Sequence, residues 1–356
     1  MNVMRIYHTF LTKIRRYIPT GHAYRERNLA WLITGLYLSR SVHLSKIANK
    51  IPGRARRESR TRRLMRFLNN AAVRVRDWYR PVAVYLLQEA AKTGVIRLII
   101  DTTKVASNYQ LLIVALAYRR RALPIAWTWV RSAKGHSSGW KQAALVSYVH
   151  TLIPSGVTVV LIGDSEFTPL QDLVAGWGWF YALRQKGNHL FRQPPDEPWK
   201  RLDTLLSAPG QQRWLTEVEL TQEHRRRCNL LAYWKMGEKE PWFVATNLPT
   251  PQETKRHYRV RMWVDEMFGD FKGHGFELEA SRLHHFQRLS RLTLAVALLY
   301  LWLVAFGSVT IKNGRRKEVD RADRRDLSLF RIGLDMFERC LINGWPITFR
   351  DVPYFT

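Results

Sequence analysis

Two apolar runs, each closed by an aspartate, constrain this chain more than any other feature. VIRLIIDTTKV starts at Val95 and reaches Asp101; VTVVLIGDSEF starts at Val157 and reaches Asp164. Short runs this apolar and β-branched are strands buried on both faces, and such strands need neighbours and covering helices. YQLLIVALAYR and ALPIAWTWV follow the first run, around the basic turn Arg119-Arg120-Arg121. The short connections predict three antiparallel neighbours. Gly139–Leu152 has the pattern of a helix. An acid at a strand end is an ordinary turn residue when it stands alone. Two such ends at one edge of a sheet form a pair.

A third acid comes from YRVRMWVDEMFGDFK, residues Tyr258–Lys272. On a helix turning about 100° per residue, Tyr258, Arg261, Asp265 and Lys272 share an arc of roughly 60°. Trp263, Val264, Met267 and Phe271 gather on the other side, which predicts a core-facing stripe. The polar stripe is equally compatible with a solvated face laced by i, i+4 ion pairs. Two acids ending apolar strands, followed by one on a later helix, is the ribonuclease-H-like plan. Three carboxylates in one place repel each other, so the arrangement suits bound divalent cations. Two Mg²⁺ ions, with Mn²⁺ as a substitute, are expected on Asp101, Asp164 and Asp265, supporting an in-line phosphoryl displacement.

The spacing of Tyr258, Arg261, the acid and Lys272 resembles the third motif of the insertion-sequence-four branch of bacterial Asp-Asp-Glu transposases, named for its Tyr-Arg-Glu-Lys signature. IDTT around Asp101 resembles the first motif and GDSEF, with Glu166, the second. One position departs: the family's acid is Glu, whereas this chain has Asp265 followed by Glu266. Spacing favours Asp265, because Glu266 lies about 100° further around the helix. Asp is one methylene shorter than Glu, so Glu266 stays a rival. The resemblance implies a metal-dependent transposase that cuts transposon ends and transfers their 3′-hydroxyls into target DNA. It also implies Tyr258, Arg261 and Lys272 on phosphates, a homodimer on paired ends, and the bacterial cytoplasm at the nucleoid. A structure-selective nuclease and a DNA-binding protein without catalysis are the alternatives.

Charge points the same way. The 356 residues carry a formal net charge of +28, which points to a polyanion, most simply nucleic acid, with an anionic membrane surface as the competing partner and a merely basic enzyme as the plain alternative. Apolar residues make up 46%, which excludes a disordered chain. Residues 1–90 read as helical and basic, with Leu29, Leu32, Ile33, Leu36 and Leu38, then Ile47 and Ile51, at helical spacing. After the Pro52-Gly53 break come Arg54, Arg56, Arg57, Arg60, Arg62, Arg63 and Arg66, balanced by Glu58 alone. This predicts a phosphate-contacting element with Arg56, Arg57, Arg62 and Arg63 on DNA; two short helices around the Pro-Gly turn are compatible with a helix-turn-helix but show no base-reading pattern, and an ordinary charged helix is the plain alternative. Cys228 and Cys340 have no metal spacing and suggest a reducing compartment. The basic N-terminal stretch does not read as a signal peptide.

The catalytic region is expected to span residues 91–310, with a strand-rich insertion at about 190–250. WLTEVEL, CNLLAYW and PWFVATN read as its strands. The resemblance implies that an aromatic on the last of them, Trp242, stacks on an extruded base; Trp234 competes, and burial in a core is the plain alternative. Leu292–Ile311 has no charge and is long enough to cross a membrane. Arginines and lysines flank it on both sides, so a buried core helix is expected and no membrane partner. His274, His284 and His285 lack zinc spacing. The tail, residues 311–356, is amphipathic. The fold class expected is α/β: a ribonuclease-H-like mixed sheet with flanking helices and a helical N-terminal region.

Overall fold

The structure is a computed structural model and describes residues 2–106, 109–131, 137–193 and 197–355. Five helices come first: α1 (Val3–Tyr17), α2 (Ala23–Ser39), α3 (Leu44–Asn49), α4 (Arg57–Asn69) and α5 (Val75–Ala91). Leu29, Leu32, Ile33 and Leu36 of α2 are fully buried. Gly35 lets α3 lie against α2, because a Cβ there would meet the Ile47 side chain at 2.5 Å and its carbonyl oxygen at 2.9 Å. The arginines of α4 and of the turn before it divide into two groups. Arg54, Arg56, Arg57, Arg62 and Arg66 reach solvent. Arg63 donates to Asn28 Oδ1 of α2 at 2.6 Å, and Arg60 donates to the Ile51 carbonyl. These last two hold the helices together, so Arg63 is already committed within the fold.

The sheet begins with β1 (Val95–Ala106), β2 (Tyr109–Tyr118) and β3 (Arg121–Arg131), antiparallel as expected. After α6 (Gly139–His150), β4 (Thr158–Gly163) joins β1 in parallel. A 3-10 turn and α7 (Gln171–Gly176) lead to β5 (Phe180–Arg184), parallel to β4. The order β3-β2-β1-β4-β5 with these directions is the ribonuclease-H-like sheet. Pro124, which cannot donate to a ladder, lies on edge strand β3 at a register shift, and its carbonyl accepts from Tyr79 Oη.

The insertion does not form a separate sheet. β6 (Leu190–Arg192), β7 (Lys200–Arg201), β8 (Gln212–Leu220), β9 (Arg226–Tyr233) and β10 (Trp242–Thr246) extend the core. β10 pairs antiparallel with β5, giving one ten-stranded sheet among the described residues. β5 had no distinctive sequence signal: FYALR is short and ends in a charge.

The chain then enters α8 (Pro251–Tyr258), a 3-10 turn over Arg259–Met262, and α9 (Trp263–Phe271). Thr250 caps α8 by accepting from the Glu253 N–H at 3.2 Å, with Pro251 in the first helical turn. The expected single helix is thus two helices joined by a tighter turn. α10 (Phe286–Lys312) runs through the core, and every residue from Arg291 to Ser308 is buried. An all-round apolar helix needs such a sheath when it is not in lipid. Its one buried cation, Arg291, donates to the Val73 and Leu68 carbonyls. α11 (Leu329–Ile342) crosses it so closely that a methyl on Gly333 would fall on the Leu303 carbonyl oxygen, and one on Gly307 on the Leu329 carbonyl oxygen.

This crossing gives a stability prediction. Gly333→Ala will destabilise the protein by about 1–3 kcal/mol or more in urea unfolding. Gly176→Ala, where a Cβ meets nothing within 4 Å, will be neutral or slightly stabilising.

Candidate functional site

The parallel register places the first two acids together. Ile100 of β1 lies opposite Gly163 of β4, so the next residues, Asp101 and Asp164, leave adjacent strands side by side. Each carboxylate is oriented locally: Asp101 Oδ1 accepts from the Thr102 N–H at 2.7 Å, and Asp164 Oδ1 from the Ser165 N–H at 2.8 Å. Glu166 joins the strand ends, accepting from Thr102 Oγ1 at 3.1 Å and from the Ser137 N–H at 2.6 Å.

Arg261 reaches into this pair. Its Nη2 lies 3.4 Å from Asp101 Oδ2 and 3.2 Å from Asp164 Oδ2, and its Nη1 lies 3.8 Å from Asp265 Oδ2. Three carboxylates from two strands and one helix therefore converge on a single guanidinium. Burial pushes the Asp101 carboxyl up to about 7; Arg261 pulls against it, while Asp265 and Asp164 add to it. Burial also opposes the Arg261 charge, but Asp101, Tyr258, Asp164 and Asp265 outweigh it and hold the guanidinium above its usual range. Arg261 Nε is buried without a hydrogen-bond partner.

These groups line a cleft of about 570 Å³ together with Lys104, Lys186 and Lys272. Lys272 ends α9 in a non-helical conformation and pairs with Glu279 at 2.9 Å. Lys104 and Lys186 carried no sequence signal as site residues. Lys186 follows β5, whose own signal was weak, and only the parallel β4–β5 pairing brings it beside Asp164.

Three expected site residues do not line this cleft. Glu266 pairs with Arg121 at 2.8 Å and lines a neighbouring cleft, where Arg121 also meets Asp270 at 3.0 Å. Tyr258, expected on the polar stripe, is only 3% exposed; its ring packs among Val160, Ile162 and Val244, edge-on to Trp242 at 5.1 Å. The 3-10 turn explains this, because about 120° per residue over four residues rotates α8 by roughly 80° against the continuous-helix wheel. Trp242 lies in a groove with Tyr233, Lys255, Arg256 and Arg259, apart from the aspartates. Of the predicted core stripe, Val264, Met267 and Phe271 are buried and Trp263 is half-buried. His274, His284 and His285 belong to no metal-binding group among the described residues.

The donors suit a hard divalent cation in type, since all three are carboxylate oxygens and they share one focus. As placed, the Arg261 guanidinium is at that focus. Among the described residues no three acidic, histidine or cysteine side chains stand close enough to share an ion. The side chains are of the type a divalent cation takes, but gathered around Arg261 they form an ion-pair cluster rather than a metal-binding group.

No family model matches the sequence, and no curated protein matches it. Among solved structures, the chain is similar in outline to a piggyBac transposase in a synaptic complex with hairpin DNA, solved by cryo-EM. Identity is 9% and the TM-score 0.43, over 94% of this chain and 79% of that one. A likeness so distant says nothing about chemistry.

The helix leading to Arg261 is held to β1 by a buried histidine. Arg97 Nε donates to His257 Nδ1 at 3.1 Å, and burial, with Arg97 and Arg256 nearby, lowers the His257 pKa to about 4. A histidine depressed in the fold from an ordinary value near 6.5 contributes stability above that value and loses it as pH falls towards 4. Stability is thus expected to fall across this window more steeply in the native protein than in His257→Gln, by thermal melts at stepped pH.

Proposed function

We propose that this chain is a DNA transposase that binds transposon ends, hydrolyses phosphodiester bonds there and joins the 3′-hydroxyl ends to target DNA. One observation carries the reading: Asp101, Asp164 and Asp265 converge on Arg261 at the strand ends of a ribonuclease-H-like sheet. The finer placement, in the bacterial insertion-sequence branch, rests on the spacing of Tyr258, Arg261, Asp265 and Lys272 in the sequence. Two protomers on paired ends, at the bacterial nucleoid, complete the proposal.

In this reading a scissile phosphate enters the cleft between Lys104, Lys186 and Lys272, which neutralise its charge. Arg261 exchanges its carboxylates for the phosphate, to which a guanidinium binds bidentately. Asp101, Asp164 and Asp265 are then the residues that would hold Mg²⁺, or Mn²⁺ in its place. A divalent cation held there would supply Lewis-acid activation of the nucleophile and charge stabilisation at the leaving oxygen. Tyr258, beneath Trp242, supports Arg261 from the core, and Trp242 is assigned to DNA beside the cleft.

The test uses labelled duplex from the gene's own flanks. Asp101→Asn and Asp164→Asn are expected to lower Mg²⁺-dependent nicking at least about a hundredfold while binding persists. Asp265→Ala will do the same, whereas Glu266→Ala will cut, because its carboxylate faces Arg121. Full nicking by either Asn variant overturns the assignment. Cutting without joining of a pre-cut end identifies a nuclease; binding without cutting identifies a catalytically silent protein.

The solvent-facing arginines at the start of α4 give a separate expectation. Neutralising Arg56, Arg57 and Arg62 together will flatten the salt dependence of DNA binding. The log–log slope will fall by about 0.9 for each phosphate that these side chains no longer neutralise. Arg63 is left intact in this variant, since it bonds Asn28.

A further inference from the structure

α9 separates two clefts. Asp265 and Lys272 face the first; Glu266, about 100° around the helix, faces the second. The ridge between them is exposed, with Met262 54% and the Glu266 side chain 56% accessible. The far wall of the second cleft is the β2–β3 turn and Arg325.

That turn is unusual. Tyr118 pairs with Arg121, so Arg119 and Arg120 alone make the two-residue loop. Both have positive φ, 42° and 66°. A two-residue hairpin loop with positive φ at both positions is the type I′ form, which favours Asn-Gly. Side chains with a Cβ cost stability there, and such local strain marks functional positions when nothing in the packing requires it. Arg119 and Arg120 are exposed and make no ion pair among the described residues. The Arg119 guanidinium lies 5.6 Å from its neighbour Tyr118's ring.

The acids nearby are already matched. Glu266 is paired with Arg121, and Asp326 with Arg324 and Arg321. Arg325 is held below its usual range by burial and then by Arg121, with Arg120 and Arg316 adding repulsion against the pull of Asp320. The wall of this cleft therefore carries arginines close enough to repel one another, and among the described residues neither Arg119 nor Arg120 is held in an ion pair.

We infer that Arg119, Arg120 and Arg325 form a second phosphate-binding element, which holds the backbone of duplex DNA as it runs past the aspartate cleft. The inference rests on the proposed action on DNA. One helix diameter, ~10 Å, separates the two clefts. A duplex passing over the Met262–Glu266 ridge has phosphates spaced closely enough to meet both. The guanidinium forks suit phosphate oxygens, and the strained turn presents two of them without the freedom of a longer loop.

The test replaces the turn with the residues its geometry favours. Arg119→Asn with Arg120→Gly removes both charges and relieves the backbone, so loss of folding is not the expected outcome. Binding of labelled duplex to the full chain is measured by anisotropy over a salt series, beside thermal melts. The expected result is an unchanged or higher Tm, about tenfold weaker binding, and a log–log salt slope shallower by about 1.8, or 0.9 for each of two phosphates. The pair Arg119→Lys with Arg120→Lys will keep the native slope. Native affinity and slope in the Asn-Gly variant overturn this inference and leave the proposed function standing; so does a flattened slope in the lysine pair. Failure of the native protein to bind duplex overturns both.

Discussion

Parallel pairing of Ile100 with Gly163 is the contact on which the rest of the site depends. Gly163 is closely surrounded: a Cβ there would lie 3.0 Å from Ile100, 3.1 Å from Phe167 and 3.2 Å from Leu183. A larger residue would make these three side chains shift where the chain emits Asp101 and Asp164. A slip of one residue would move one carboxylate about 3.3 Å along its strand and turn it to the other face. The sheet thus fixes two acids to within bonding reach of one cation, and Glu166 ties the same strand ends together.

Once the acids are gathered, electrostatics sets the local structure. Asp101 is nearly buried, and an uncompensated carboxylate there would be costly. Arg261 supplies the compensation, and the 3-10 turn that carries it is the segment where α8 stops and α9 begins. Tighter winding over Arg259–Met262 turns Tyr258 into the core and leaves Arg261 facing the strand ends. The two halves of the broken helix consequently serve different neighbours: α8 is pinned to β1 through His257, and α9 divides the aspartate cleft from the arginine-walled one.

Packing below this layer is governed by α10. Surrounded by α11, by the sheet and by helices of the N-terminal region, it connects the basic helices to the ten-stranded sheet through one continuous core. Phe10 of α1 stacks on Trp302 at 5.6 Å, and Arg291 bonds the backbone at the α4 end. The N-terminal helices thus share their packing with the helix that lies under the sheet. Glycine-mediated crossing of α10 and α11 makes the tail part of that core.

The sequence by itself determined the buried strands, their terminal aspartates, the antiparallel β1–β3 set and the core face of α9. Each rests on an apolar run, a period or a short connection that can be read without knowing its distant partners. The choice between Asp265 and Glu266 as the acid facing the strand ends was also legible, because adjacent helical residues cannot share a face. Tertiary structure alone decided the fate of Tyr258, since a four-residue 3-10 turn leaves no signature in composition yet rotates everything before it. It alone joined the insertion strands to β5, because strand neighbours are chosen by hydrogen-bonding edges distant in sequence. It alone divided the arginines of the α4 region into solvent-facing and committed ones, and brought Lys104 and Lys186 to the cleft. Burial of α10 was likewise a tertiary decision: an apolar helix of that length is the same sequence in lipid or in a protein core, and only the elements packed around it distinguish the two.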